Sequence, residues 1–246
     1  MFFKMKKEFA VINKFIENIE GWLSPKEGEL LYNLAKNCTG KGVIVEIGSW
    51  KGKSTICLAK GSKSGNKVKV YAIDPHIGSS EHRKKYGKVW TFDEFKKNIK
   101  KANVEDIVVP CVKTSEEAAK NFDKPVELIF IDGAHEYEFV KKDFELWFPN
   151  LIEGGVMAFH DTIGGHEGPG RVVREFLYNS KHFKDVKFLD SITYGKKVNQ
   201  NSVFGRIKNR YVLFLKDTYE LARKFHLPAP IKFFGKKIVT LLQKFF

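Results

Sequence analysis

Val43 to Thr55 reads VIVEIGSWKGKST: a short, almost wholly apolar run, a turn carrying two glycines, and residues that open a helix. An apolar run of this length bounded by glycine reads as a strand buried on both faces. Four more runs share the signature, at Val68–Ile73, Ile107–Val112, Leu128–Ile131 and Val156–Phe159. Between them Ser54–Lys60, Phe92–Lys101 and Tyr137–Trp147 carry helical spacing. Strands that alternate with helices build a doubly wound, mostly parallel α/β sheet. Val186–Ile192 and Ser202–Ile207 bring the count to seven. Their Gly, Lys and Asn rich connection is too short for a crossover helix, so an antiparallel last strand is expected. Two helical stretches precede Val43, which divides the chain into a helical cap (1–42), the sheet domain (43–207) and a helical tail (208–246).

The composition agrees with one large folded unit. The 246 residues are 43% hydrophobic and 14% aromatic, enough for a substantial core and too apolar for a disordered chain. Cys38, Cys57 and Cys111 are an odd, scattered set without a CxxC pair, so neither a disulfide framework nor a thiolate zinc site is expected. No stretch approaches the ~18 apolar residues of a membrane span, and a cytoplasmic location is the expectation. The net charge of +14 is uneven: Lys208–Phe246 holds nine Lys or Arg against Asp217 and Glu220, so half of it lies in the tail.

Ligands of such sheets bind at the carboxyl ends of the strands. Gly52-Lys53-Ser54 imitates the end of a phosphate-binding P-loop, and Leu128–Asp132 imitates its companion acidic strand. Only three residues separate Gly48 from Gly52, however, where that loop needs four, and Trp50 stands where a dinucleotide fingerprint needs glycine. What remains is E-x-G-x-x-x-G. It resembles the first motif of class I S-adenosylmethionine-dependent methyltransferases, whose fold is Rossmann-like. A carboxylate such as Glu46 suits a cationic sulfonium and amino ligand and would repel a pyrophosphate. The resemblance implies a cofactor cradle of Glu46, Gly48, Ser49, Trp50, Gly52, Ser54 and Thr55. Asp74, ending the second strand, can accept both ribose hydroxyls. Ser115 reads equally as an adenine contact or a helix N-cap.

Leu128–Thr162, LIFIDGAHEYEFVKKDFELWFPNLIEGGVMAFHDT, is the most specific stretch. Its IDGxH and FHDT ends resemble macrocin-type and mycinamicin-type sugar O-methyltransferases, and more distantly catechol O-methyltransferase. The resemblance, which covers roughly Val43–Thr162, implies a divalent metal, magnesium or manganese, on Asp132, His160 and Asp161, with Asp132 also near the cofactor. It implies His135 as general base. The relatives carry Asp-Asp or Asp-Asn where this chain has His160-Asp161, and imidazole suits Mn²⁺, Fe²⁺ or Zn²⁺ better than Mg²⁺. His76, His82, His166, His182 and His226 lack such a context and read as surface or loop residues. The glycine-rich Ile163–Arg171 lies on the active face.

On a helical wheel Arg210–Phe225 places Tyr211, Val212, Phe214, Leu215, Tyr219, Leu221, Ala222 and Phe225 on one half. Beyond Pro228 and Pro230, Ile231, Phe234, Ile238, Val239, Leu241, Leu242, Phe245 and Phe246 share a side opposite Lys236, Lys237, Gln243 and Lys244. Such basic amphipathic helices serve as anchors on anionic membranes, or pack on their own domain or a twin subunit in a homodimer. No basic stripe interleaved with aromatics marks nucleic acid as a partner. The expectation is an S-adenosylmethionine-dependent O-methyltransferase acting on a sugar, glycan or lipid-linked saccharide. A non-catalytic cofactor binder and a nucleotide hydrolase are the rivals.

Overall fold

The computed structural model describes residues 2–78, 87–225, 235, 238–239 and 241–243. Seven strands form one sheet in the order β3-β2-β1-β4-β5-β7-β6. They are β1 (Val43–Ile47), β2 (Val70–Ile73), β3 (Val108–Cys111), β4 (Val126–Ile131), β5 (Leu151–Phe159), β6 (Phe183–Leu189) and β7 (Ile192–Lys197). β1 to β5 run parallel, and β7 is antiparallel to both β5 and β6. The fold expected from the apolar runs is therefore the one observed.

Both faces of the central strands are covered, which is why they read as nearly continuous apolar runs. Ile44 packs into a cluster with α1 (Phe2–Ile16), α2 (Pro25–Lys36), α3 (Lys53–Ser64) and α4 (Phe92–Lys101). Its neighbours Val45 and Ile47 face the opposite cluster, which holds residues of α5 (Ser115–Ala119), α6 (Tyr137–Trp147), α7 (Glu167–Val173) and α8 (Val203–Lys224). A π-helical turn, Arg174–Tyr178, continues α7. α2 begins at a capping box: Glu27 N donates to Ser24 Oγ, Ser24 N donates back to Glu27 Oε2, and Pro25 holds the first turn.

Two assignments near the end of the domain change. Ser202–Ile207 is the start of α8 and not a strand: the Ser202 hydroxyl accepts from Gly205 N at 3.0 Å, an N-cap hidden by the apolar residues Val203, Phe204 and Ile207. The antiparallel partner is instead Ile192–Lys197, joined to β6 by a two-residue turn with Asp190 at φ 52°. Its Gly-Lys-Lys end looked like a loop because glycine and lysine are poor strand markers, yet the lysine is used structurally. Lys197 Nζ donates to the carbonyls of Phe148 and Leu151 at 2.8 and 2.7 Å.

α8 packs on β6, so the division expected at residues 207 and 208 falls inside this helix. Val212, Leu213, Leu215 and the 2% exposed Lys216 turn inward, while Val203, Phe204, Ile207, Phe214, Leu221 and Phe225 stay exposed. The apolar half of the sequence wheel is thus split between core and solvent. Beyond Phe225 the amphipathic segment lies largely outside the described residues. Val239 and Leu242 pack against the core, and Gln243 Oε1 accepts from Phe188 N at 3.0 Å. Among the described residues no helix is long and apolar enough to cross a membrane.

Candidate active site

A cavity of about 770 Å³ opens at the carboxyl ends of β1, β2, β4 and β5, a size that suits a cofactor with a small acceptor. Gly48, Ser49, Trp50, Ser54, Asp74, Ser115, Asp132, His135, His160 and Asp161 all line it. Glu46, Gly52 and Thr55 do not reach the wall and stand behind the loop.

The loop geometry follows from two contacts. Gly48 has φ +86°, and a Cβ there would lie 2.2 Å from the Asp132 carbonyl oxygen, so the ends of β1 and β4 meet at a distance only glycine allows. Asp74 then fixes the far side. Its Oδ2 accepts from Trp50 N at 2.7 Å and its Oδ1 from His76 N at 2.6 Å, which orients the carboxylate toward the cavity. His76 is fully buried, with Nδ1 2.9 Å from Thr91 Oγ1 and its ring among Trp90, Phe92 and Phe95.

Glu46 is buried and accepts from Thr55 Oγ1. Burial pushes its carboxyl up to about 8 against the restraining hydroxyls of Ser54 and Thr55, and Asp132 and Asp74 push the same way. Glu46 Oε1 and Ser49 Oγ are buried with no well-aligned partner among the described residues. Two orphaned oxygens beside a backbone cradle fit a ligand with donor groups. At β3, Thr114 is the N-cap of α5, in a capping box with Glu117, while Ser115 Oγ accepts from Trp147 Nε1 at 2.9 Å.

The ends of β4 and β5 and the first turn of α2 bring three acids around one imidazole. His160 Nδ1 is 3.1 Å from both Asp132 Oδ1 and Asp161 Oδ2, and its Nε2 is 3.6 Å from Glu27 Oε2. Burial disfavours charge on His160, but Asp132, Asp161 and Glu27 outweigh it and hold the ring protonated far above the ordinary histidine range. Burial also opposes charge on Glu27, yet His160, Ser24 and Ser191 carry that carboxyl down to about 2. Glu27 Oε1 accepts from both N and Oγ of Ser191, at 2.8 and 2.7 Å. Asp161 sits at φ 52°, a left-handed conformation held by its neighbour: Thr162 N and Oγ1 both donate to Ser191 O. Burial opposes charge on Asp161 as well, but His135 and His160 hold it well below the usual carboxylate range.

Asp132, His160 and Asp161 present three ligand atoms within 4.8 Å of one another, so the motif-derived set does converge. His160 Nδ1 is buried without a well-aligned hydrogen bond, and Glu27 stands behind the other ring nitrogen as a carboxylate that would orient a metal-bound histidine. A proton on His160 and a divalent cation are alternative counter-charges for this cluster. The donors, two carboxylates and an imidazole, fit an ion of the manganese or zinc kind and fit magnesium poorly.

His135 Nε2 lies 3.2 Å from Asp161 Oδ2, and its ring lies against that of His166, centroids 3.8 Å apart and planes tilted by 34°. Sequence reasoning missed several wall residues: Trp22 and Leu23 from the α1–α2 connection, Phe139, Lys142 and Leu146 from α6, and His166. It also missed Glu27. Its capping box, Ser24-x-x-Glu27, was visible in the sequence, but the contact to His160 spans most of the domain.

Sheet order and a cavity at the carboxyl ends of the strands match a Rossmann-like fold. Residues 45–162 match the family described as a methyltransferase domain. The fold is similar to that of the O-methyltransferase NovP, with TM-score 0.62 and 17% identity, over 72% of this chain and 81% of that one. It is also similar to TomG, the O-methyltransferase of Streptomyces achromogenes involved in tomaymycin synthesis. That protein, solved in complex with S-adenosylmethionine, gives TM-score 0.55 and 17% identity over 79% and 89%. An uncharacterized protein of Acanthamoeba polyphaga mimivirus is 27% identical over 214 residues, 82% of this chain and 92% of that protein. An uncharacterized protein of Sinorhizobium fredii is 33% identical over 123 residues, 48% of this chain; the chain spans only 13% of that relative's length.

Proposed function

We propose that this protein is an S-adenosylmethionine-dependent O-methyltransferase, in which His135 takes the acceptor's proton. The observation that carries the reading is the convergence on one cavity wall of the Gly48–Trp50 loop, the oriented Asp74 and the His135–Asp161 pair. S-adenosylmethionine, when bound, supplies a methyl group on an electrophilic sulfonium and leaves with the electron pair as its sulfide.

The chain's residues do the rest. Asp74, pinned by two backbone N–H groups, keeps lone pairs for the ribose hydroxyls. Ser49 Oγ, on the cavity wall, is available to a donor group of the ligand, while Glu46 behind it holds the start of α3 through Thr55. When Nε2–H of His135 is donated to Asp161, Nδ1 is the basic atom. It accepts the hydroxyl proton as the acceptor oxygen attacks, and Asp161 stabilises the imidazolium. A divalent ion on Asp132, His160 and Asp161 would lower the acceptor's pKa.

The acceptor follows from the rim and the tail. Trp22 and Phe139 line the cavity with large exposed faces, 62% and 58%, suited to the apolar face of a sugar ring. The exposed Val203, Phe204, Ile207, Phe214, Leu221 and Phe225 run the length of α8 beside exposed Arg206, Arg210 and Arg223. A saccharide carried on a lipid at an anionic membrane surface joins these two features.

Calorimetry with S-adenosylhomocysteine tests the reading, on wild type, on Asp74→Ala and with chelator present. Binding by wild type that fails in Asp74→Ala is expected. No heat with that product, together with thermal stabilisation by ATP, would favour a nucleotide hydrolase instead. Cofactor binding with no methyl transfer to any saccharide hydroxyl would favour the non-catalytic binder.

A further inference from the structure

We infer that His135, Asp161 and His166 form a second cation site, for a divalent transition metal of the zinc or cobalt class, open to the cavity. It is separate from the Asp132, His160 and Asp161 set and shares only Asp161 with it. Metal binding there does not depend on the methyl-transfer reading.

Three observations carry the inference. One ligand atom from each residue lies within 4.8 Å of the other two, and the closest pair, His135 Nε2 and Asp161 Oδ2, is 3.2 Å apart. Ligands at about 2.0–2.1 Å in a tetrahedral zinc site are roughly 3.3 Å apart, so that pair already has the required spacing. Secondly, His166 occupies the N-cap position of α7 yet makes no side-chain cap; its ring lies against that of His135 instead, centroids 3.8 Å apart. Thirdly, the backbone just before His166 is uncrowded. Gly164 and Gly165 precede it, and a Cβ on either would meet nothing within 4 Å.

The donor set decides the kind of ion. Two imidazoles and one carboxylate select borderline metals such as Zn²⁺, Co²⁺ or Fe²⁺ over Mg²⁺, which prefers an all-oxygen shell. All three side chains face the cavity, which leaves coordination positions for water or a ligand oxygen. An ion on His135 would also occupy the imidazole that takes the acceptor proton, so zinc loading at this site should oppose methyl transfer.

The test is titration of the full chain with Co²⁺, read by its visible d–d absorption and by calorimetry. Intense bands of a four- or five-coordinate ion are expected, undiminished by excess Mg²⁺. His166→Gln should weaken the affinity by about 100-fold or more, and Asp132→Asn should leave the bands in place. X-ray absorption at the zinc edge of Asp132→Asn, in which the other set has lost a carboxylate, should count two imidazoles per ion. Bands lost in Asp132→Asn but kept in His166→Gln, a single imidazole per zinc, or no binding at millimolar Co²⁺ would each overturn the inference.

Discussion

Replacing Gly48 with alanine should be among the most damaging one-carbon changes in this protein, because two penalties coincide there. The backbone sits at φ +86°, where a side chain costs about 1–3 kcal/mol. The new Cβ would also lie 2.2 Å from the Asp132 carbonyl oxygen and 2.7 Å from its carbon, so the ends of β1 and β4 must move apart. Forcing a methyl into packed backbone costs about 1–3 kcal/mol more. The sum is about 2–6 kcal/mol, and at roughly 2–4 °C per kcal/mol for a chain of this length the melting temperature should fall by about 4–24 °C. Gly154→Ala is the internal control: its φ is +80°, but a Cβ there would meet nothing within 4 Å. It should show the conformational penalty alone, about 1–3 kcal/mol. Thermal and urea unfolding of both variants measure the difference, which is the cost of the strand contact. Equal destabilisation by the two would refute the close approach as the reason for glycine at 48. Because the displaced carbonyl belongs to Asp132, weaker S-adenosylhomocysteine binding should accompany the loss in Gly48→Ala and not in Gly154→Ala.

Glu46→Gln tests the buried acid. Its folded pKa of about 8 lies above the ordinary 4.5, so between these values the folded state binds the extra proton, and stability falls as pH rises through the window, by up to about 5 kcal/mol. Unfolding at about pH 5 and pH 8.5 should show the substitution more stabilising at the higher pH, and a pH-independent effect would contradict a raised pKa. His135→Gln should lower kcat by about 10² to 10⁴ with little change in cofactor affinity, and flatten the acid limb of the pH profile; an unchanged profile would assign the base elsewhere. Phe214→Glu combined with Leu221→Glu, both on the exposed side of α8, should release the protein from anionic vesicles and leave the melting temperature within a degree or two. Vesicle binding unaffected by the pair would remove α8 from the membrane reading.

Much of the site was legible because strand ends are local objects. Gly48, Asp74, Asp132, His135 and Asp161 each follow an apolar run, and a parallel sheet brings such ends to one edge whatever the packing detail. What failed was also local in origin. Ser202–Ile207 carries apolar residues at spacings that serve strand or helix equally, and the Ser202 cap decided for helix. Ile192–Lys197 read as a loop because glycine and lysines are poor strand markers, although Lys197 is held by two carbonyls.

The apolar runs and the turns between them determined the doubly wound sheet, because burial on both faces leaves a mark on every residue of a central strand. Only the tertiary structure decided what meets His160 and His135. Glu27 and His166 lie far from their partners in sequence, and a pairwise contact between distant residues leaves no periodic trace in either segment. It likewise decided which apolar side chains of α8 turn inward. One amphipathic wheel can be split between core and solvent, and the surface against which the helix packs makes that choice.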